Sequence, residues 1–181
     1  MAKTDAPLDI ALIDGDVRII PFEANHLPHV RAACAKDTEI WDIYPVNMLD
    51  DDFDAQLKSF HGEDGWVRFT VFNGDQVVGT TSYIHPSLEN GTVMIGGTYI
   101  EPSVRGSDFN RRMKKLMIDH AFASGFWRIE FTVDARNKRS MAAVLKLGAK
   151  HEGTLRRNRK TWTGYVRDTA VFGLLKEEWV G

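Results

Sequence analysis

Residues 92 to 124 read TVMIGGTYIEPSVRGSDFNRRMKKLMIDHAFAS, and this stretch decides the fold. It begins as a strand that contains Gly96 and Gly97, and paired glycines within a strand usually mark a bulge or a close approach by another group. Pro102 ends the strand. Residues 107–124 predict a helix whose apolar side carries Phe109, Met113, Leu116, Met117, His120 and Ala121. Its polar side carries Arg111, Arg112, Lys114, Lys115 and Asp119.

The turn between this strand and helix, RGSDFN at residues 105–110, has two interpretations. A turn that opens a helix aims several backbone N–H groups at one point, where the helix dipole adds positive charge, and phosphate oxygens fit such a place. Further hydrogen bonds to the phosphate would come from Arg105, Gly106, Arg111 and Arg112. In the second interpretation, Ser107 caps the helix and Asp108 interacts with its dipole, without a ligand.

The rest of the chain predicts a mixed order of strands and helices, which is an α+β (mixed α/β) domain. Two short strands flank Asp14-Gly15, helices cover 24–37 and 48–61, and strands 66–72 and 76–85 form a hairpin around Asn73-Gly74-Asp75. After the basic helix come a strand at 127–134, a helix at 137–147 and strands at 150–157 and 164–175.

Composition bounds the class of protein. The 181 residues, 43% of them hydrophobic and 27% charged, suffice for one domain with a substantial core. No apolar run is long enough for a membrane span and the first residues lack a signal-peptide core, so we expect a cytoplasmic protein. The single cysteine, Cys34, excludes an internal disulfide and a cysteine-based zinc site.

Charge is divided unevenly along the chain. Residues 1–90 carry 6 Lys and Arg against 16 Asp and Glu, whereas residues 91–181 carry 17 against 9. This asymmetry indicates either a polyanionic ligand in the second half or two solvated faces of opposite sign.

The order of a bulged strand, this turn, a basic helix and another strand is similar to the core of the GNAT superfamily of N-acetyltransferases. In the same place as in that family, Asn137-Lys138-Arg139-Ser140 opens a helix that ends at Leu147-Gly148-Ala149. Further motifs resemble those of the ribosomal-protein-alanine (RimJ/RimL-like) subgroup: EIW at 39–41, Glu152-Gly153, Leu155-Arg156, Gly164, Arg167-Asp168 and Glu178-Trp179. The resemblance runs over roughly residues 15–180.

The resemblance implies a GNAT fold in a single domain, residues 1–181, with 1–8 as a loose tail. Its sheet would be twisted and mostly antiparallel, with about seven strands, a bulged and splayed fourth strand and about four flanking helices. It also implies acetyl-CoA as the donor, with no metal. The implied cofactor-binding residues are Thr98, Tyr99, Ile100, Arg105, Gly106, Ser107, Asp108, Phe109, Asn110, Arg111, Asn137 and Ser140.

Asp108 departs from the family pattern, which has glycine at this position of the pyrophosphate-binding turn. A carboxylate about 4 Å from a phosphate charge costs roughly 4 kcal/mol at an effective dielectric constant near 20. We expect the Asp108 side chain to point outward and pair with Arg111 or Arg112.

The family resemblance suggests Ser140 and Glu152 as catalytic residues. Many relatives use a tyrosine as proton donor, but the matching position here is Val144, so Ser140 would protonate the leaving thiolate or orient a water. Alternatively, Asn137 caps the helix and Ser140 completes its first turn. Glu152 would act as the base, or would form a surface ion pair with Arg156 or Lys150.

The expected activity is acetyl-CoA-dependent transfer of an acetyl group to a primary amine, of a protein N-terminus or of a small molecule, by direct attack on the thioester. A degenerate acyl-CoA-binding or interaction module is the alternative. The expected substrate residues are Trp41, Tyr44, Glu152 and Arg156. The acidic residues Asp42, Asp50, Asp51, Asp52 and Asp54 would attract a cationic amine or form a solvated helix face. The family resemblance is also compatible with a homodimer. The basic run RRNRK at 156–160 is too short to favour nucleic-acid binding.

Overall fold

Eight strands form one sheet in the computed structural model, which describes residues 7–49 and 65–181 together with Phe53 and Leu57. The strands are β1 (Leu12–Asp14), β2 (Val17–Pro21), β3 (Trp66–Asn73), β4 (Gln76–Ser87), β5 (Thr92–Ile100), β6 (Arg128–Asp134), β7 (Lys150–Lys160) and β8 (Val166–Leu175). They lie in the order β1-β2-β3-β4-β5-β6-β8-β7. Neighbouring strands are antiparallel except β5 and β6, which are parallel.

Three α-helices flank the sheet in the described part of the chain: α1 (Leu27–Cys34), α2 (Phe109–Ala123) and α3 (Lys138–Lys146). Single turns of 3₁₀ helix lie at Ala24–His26, Ile40–Ile43, Pro102–Val104 and Lys176–Glu178. None of the helices in the described ranges is long and apolar enough to cross a lipid bilayer.

The mixed, mostly antiparallel architecture predicted from the sequence is confirmed. The sheet has eight strands instead of about seven, and the bulged strand is fifth in chain order because the short β1 precedes the others. Most of the helix expected at 48–61, most of the expected tail at 1–8, and the acidic residues Asp50, Asp51, Asp52 and Asp54 lie outside the described residues.

The two faces of the sheet bury separate apolar clusters. One face, here called the α2 face, packs residues such as Val93, Ile95 and Phe131 against α2 and α3. The other, the α1 face, packs Val77 and Tyr99 against α1, residues of the segment 40–48, Phe53 and Leu57. Because side chains alternate along a strand, each sheet residue can be assigned to one of these faces.

A bulge interrupts β5 at the glycine pair. Ser82 of β4 lies opposite Gly96, but Thr80 lies opposite Tyr99, so β5 has one residue more than its partner over this interval. Gly97 adopts φ +58°, a left-handed conformation that glycine tolerates best. The glycine pair therefore marks a bulge, as the sequence predicts.

β5 and β6 separate after Met94, just before the bulge. Their pairing is limited to Thr92–Met94 with Arg128–Glu130, although β5 continues to Ile100 and β6 to Asp134. The unpaired ends of the two parallel strands diverge and leave an opening in the middle of the sheet.

Candidate active site

A cleft of about 770 Å³ lies where β5 and β6 separate. Its walls come from the segment 40–45, the end of β5, the turn before α2, the end of β6, the start of α3 and the adjoining ends of β7 and β8. The sequence-predicted residues that line it are Tyr44, Thr98, Ile100, Arg105, Gly106, Ser107, Asn110, Arg111, Asn137 and Ser140. The cleft therefore joins most of the predicted site across several separate parts of the chain.

The other predicted residues do not line the cleft. Trp41 and Tyr99 are buried in the α1-face core, where their rings stack at a centroid distance of 4.7 Å. Phe109 is buried in the α2-face core. Asp108, Glu152 and Arg156 lie outside the cleft and make the contacts described below or face solvent.

Arg105 braces the turn from within. Its Nε donates to the Ile100 carbonyl at 2.7 Å, and its guanidinium pairs with Asp37 and lies over the ring of Tyr99. The Arg105 side chain is 16% exposed, so most of it is engaged inside the protein. Arg105 thus fixes the path of the chain from β5 into the turn.

The start of α2 presents donors to the cleft. Ser107 Oγ donates to the Val104 carbonyl at 2.9 Å and accepts the Phe109 N–H at 3.3 Å. The N–H of Arg112 donates back to the Asp108 carbonyl, whereas the N–H groups before it at the helix start cannot reach such a carbonyl. Gly106, at φ +76°, takes the left-handed conformation that the turn requires.

The Asp108 carboxylate points away from the cleft and pairs with Arg111, whose Nε and Nη2 donate to it at 2.6 and 3.2 Å. The Arg111 guanidinium lowers the pKa of Asp108. The expected outward orientation is confirmed, with Arg111 as the partner. Arg112 instead pairs with Asp14 and Asp16 on the first β-turn.

The start of α3 places a hydroxyl in the cleft. Asn137 Oδ1 accepts the N–H of Ser140 at 3.0 Å and so caps the helix, as one interpretation of the sequence expected. The Ser140 side chain lines the cleft, and its hydroxyl has no hydrogen-bond partner within the described ranges. Val144, one turn further, is buried and supplies no proton donor.

Tyr44 brings a phenol to the bulge. Its hydroxyl donates to the Thr98 carbonyl at 2.6 Å, and burial raises the pKa of Tyr44 to about 12. Its ring contacts Trp41, whose backbone carbonyl accepts the Trp162 Nε1–H at 2.8 Å. The segment 40–45 is therefore tied to the bulge on one side and to the β7–β8 hairpin on the other.

Glu152 lies outside the cleft, beside the start of β6. Both of its carboxylate oxygens accept hydrogen bonds from Arg128, at 2.8 and 2.5 Å, and this lowers the pKa of Glu152. Arg128 begins β6, whereas the residues of that strand that line the cleft are 131–134. This position does not support a role for Glu152 in removing a proton from the acceptor. Glu152 does form an ion pair, but with Arg128 and not with the expected Arg156 or Lys150; Lys150 pairs with Glu178.

Lys114 is a cleft residue that the sequence analysis assigned wrongly to the solvated side of α2. It is 7% exposed, and its Nζ donates to Thr98 Oγ1 at 2.6 Å. Burial lowers the pKa of Lys114 to about 7. One signal could have revealed this position: Lys114 precedes the apolar Ile118 by one turn, and Ile118 is fully buried.

Asn158, Arg159, Arg167 and Thr169 also line the cleft, from the ends of β7 and β8. In the sequence, Arg167 is identified only as part of the subgroup pattern. Strand spacing alone cannot show that this end of the hairpin reaches the cleft, because the contact depends on how β8 pairs with β6.

Comparisons with known proteins agree with this architecture. The family model described as "Acetyltransferase (GNAT) domain" matches residues 16–150. No curated protein sequence matches the chain.

Similar solved structures cover nearly the whole chain. A "putative acetyltransferase" from T. thermophilus is 34% identical, covers 93% of this chain and 90% of its own, and has a TM-score of 0.84. A "probable acetyltransferases (GNAT family)" structure from Chromobacterium violaceum is 28% identical, covers 97% and 96%, and has a TM-score of 0.86. Mycobacterium smegmatis RimJ in complex with CoA-disulfide is 19% identical, covers 91% and 84%, and has a TM-score of 0.76, a likeness in fold.

The splayed strands, the turn into α2 and the family match over residues 16–150 agree on one assignment. The chain belongs to the GNAT acetyltransferase family, whose members are acetyl-transferring enzymes.

Proposed function

We propose that this chain transfers the acetyl group of acetyl-CoA to a primary amine by direct attack of the amine on the thioester. The observation that carries the proposal is the continuous cleft from the start of α2 to the opening between β5 and β6. Acetyl-CoA supplies an acetyl group that is activated as a thioester.

The donor half of the cleft fits a pyrophosphate. Asn110 and Arg111 line this end, and their backbone N–H groups have no hydrogen-bond acceptor among the described residues. Asp108 is neutralised by its pair with Arg111. The open edge of β5 beyond Met94 leaves backbone groups available for an extended arm. The CoA-disulfide bound to RimJ is consistent with a CoA-type ligand in this fold.

The reacting centre would lie near the bulge, where Thr98, Tyr44 and Lys114 meet. The amine nitrogen forms a bond to the carbonyl carbon, the carbon–sulfur bond breaks, and the thiolate takes a proton. Ser140 is the proposed proton donor because it lines the cleft and its hydroxyl has no hydrogen-bond partner among the described residues. The amine loses its own proton to solvent, so no dedicated base is required.

The RimJ/RimL-like motifs favour a protein N-terminus as acceptor, and a small-molecule amine is the alternative within the same chemistry. Calorimetric titration with acetyl-CoA and with CoA, followed by an assay of amine-dependent thiol release, tests the proposal. Micromolar binding together with thiol release that depends on an added amine would support it. Binding without release from any amine would favour an acyl-CoA-binding module without catalysis. Absence of binding to folded protein would contradict the proposal and favour an interaction module.

A further inference from the structure

Arg167 lies on the α1 face of the sheet, opposite the donor half of the cleft. Thr169 pairs with Asp134 of β6, and Ala170 pairs with Val133, which belongs to the α2-face core. Because side chains alternate along β8, Thr169 and Arg167 both project to the α1 face. The helix that the pyrophosphate-type turn opens, α2, packs on the other face of the sheet.

The Arg167 guanidinium is buried without a carboxylate partner in the part of the chain that the structure describes. It is 6% exposed, lines the cleft, and donates from Nε to Thr169 Oγ1 at 3.1 Å. Thr169 Oγ1 in turn donates to Asn158 Oδ1 at 2.6 Å. The nearby Asp134 carboxylate is paired with Arg136 at 2.8 Å. A buried cation is costly unless an anion compensates it, and a ligand can supply that anion.

A second cation faces the same region. Arg159 lies directly opposite Arg167 in the β7–β8 register and also lines the cleft, as does Arg139 at the start of α3. Neither Arg159 nor Arg139 forms an ion pair with another described residue. Among described residues, Asp134 is the one carboxylate that lines the cleft. This half of the cleft therefore has an excess of positive charge.

We propose that Arg167, together with Arg159 and Asn158, binds an anionic group of the acceptor, so that the substrate is an amine with a carboxylate or a phosphate a few atoms from its nitrogen. The inference rests on the proposed function and narrows its substrate class. It reverses the expectation of a cationic acceptor, which relied on acidic residues of the first half of the chain. Asp42, the member of that acidic set that the structure describes, does not line the cleft.

The guanidinium fits this role better than a lysine would. Its planar array of donors can hold a carboxylate or phosphate with two parallel hydrogen bonds, and Nε remains fixed by Thr169. A fixed guanidinium loses little freedom when the anion binds, so it can both attract the acceptor and orient its amine.

Matched acceptor pairs test the charge preference. With saturating acetyl-CoA, thiol release is measured for glycine against glycinamide and for phosphoethanolamine against ethanolamine. Wild-type protein should show kcat/KM at least about tenfold higher for the anionic member of one or both pairs. The two pairs distinguish a carboxylate from a phosphate. Glycinamide has the more easily deprotonated amine, so intrinsic reactivity alone would give the opposite order for that pair.

Variants of the cleft arginines test which residue causes the preference for an anionic acceptor. Arg167→Met should reduce the ratio within each pair to about twofold or less while the Kd of acetyl-CoA changes by less than about twofold. Arg159→Gln, at an exposed position, should lower the ratio of kcat/KM for the anionic over the uncharged acceptor, but less than Arg167→Met does. It replaces Arg167→Met as the test if that variant does not fold. Lys160→Gln is the matched control, because its exposed side chain alternates to the other face of β7 and does not line the cleft.

The outcomes separate this inference from the proposed function. Equal rates for anionic and uncharged acceptors, or an unchanged ratio in Arg167→Met, would overturn the anion site. Loss of acetyl-CoA affinity in Arg167→Met would assign the guanidinium to the donor and would overturn it too. If no amine is acetylated, the proposed function fails, and N-acetylglycine is titrated against N-acetylglycinamide into CoA-saturated protein. At least about tenfold tighter binding of the acid would still support the anion site, and equal binding would refute it.

Discussion

The Tyr44 hydroxyl donates a 2.6 Å hydrogen bond to the Thr98 carbonyl, which joins the segment after α1 to the bulge of β5. This bond holds the bulge between two donors, because Lys114 Nζ donates to the Thr98 hydroxyl from α2 on the other face.

Tyr44→Phe removes that hydroxyl and keeps the ring that packs on Trp41. We expect kcat to fall about tenfold, because the bulge loses a fixed contact worth about 1 kcal/mol and the reacting centre loses its alignment. The Kd of acetyl-CoA should change by less than about twofold, as measured by calorimetry. Unchanged kcat in a folded variant would show that the bond has no part in turnover.

Asp108→Gly should tighten CoA binding by about three- to tenfold. The substitution removes a carboxylate beside the phosphate-type turn and releases Arg111, which lines the cleft. Asp119→Asn is a matched control, since Asp119 also pairs with a cation on α2, Lys115, but lies outside the cleft. Calorimetry at low and at high salt should show the gain shrinking as salt rises. Weaker or unchanged binding would contradict the repulsion argument.

Ser140→Ala should lower turnover at least about tenfold with little effect on CoA affinity, because a positioned proton donor contributes to the rate and not to donor binding. The helix cap should survive, since Asn137 accepts the backbone N–H of residue 140 and not its hydroxyl. Steady-state kinetics with calorimetry on the same preparation measures both quantities. A fully active variant would remove Ser140 from the mechanism.

Lys114→Met should change how stability depends on pH. Burial lowers the pKa of folded Lys114 to about 7, below the value of about 10.4 for an unfolded lysine. Between these values the unfolded chain binds more protons, so this residue makes the free energy of unfolding rise from about pH 7 to pH 10. The variant should lack that rise and be more stable than wild type at pH 6, by about 1–4 kcal/mol.

Urea unfolding at pH 6 and pH 9 measures this difference for Lys114→Met, and Lys115→Met is the control because Lys115 is substantially exposed and paired with Asp119. Parallel pH profiles for wild type and Lys114→Met would show that Lys114 titrates normally in the folded protein.

Glu152→Gln should retain turnover within about twofold, because the carboxylate is held by Arg128 away from the cleft. Stability should fall by no more than about 1 kcal/mol, the usual range for an exposed ion pair. Kinetics at several pH values checks this. A large loss of kcat that depends on pH would restore Glu152 as the base.

Local patterns were sufficient for the parts of the site that one segment builds. The glycine pair predicted the bulge, and the spacing along one helix predicted that Asp108 pairs with Arg111 or Arg112, of which Arg111 is the partner. Each of these features depends on neighbours within a few residues, which the sequence contains directly.

Positions that depend on tertiary packing could not be read in the same way. Lys114 was assigned to solvent because charge normally excludes a residue from a helix core, yet the bulge supplies Thr98 as its partner. Glu152 was placed at the cleft by family resemblance, but its place is set by the register of β7 on β8 and by Arg128 of β6. Arg167 reaches the cleft for a similar reason.

Because β5 and β6 pair only at one end, the sheet has an opening through which both of its faces reach the same cleft. The start of α2 and the β7–β8 hairpin are distant in the chain, and both line the cleft at this opening. Trp162 of that hairpin donates a hydrogen bond to the Trp41 carbonyl, which joins the hairpin to the segment 40–45. Substitutions in the hairpin and in the segment 40–45 can therefore change which acceptor fits, while the start of α2 stays unchanged.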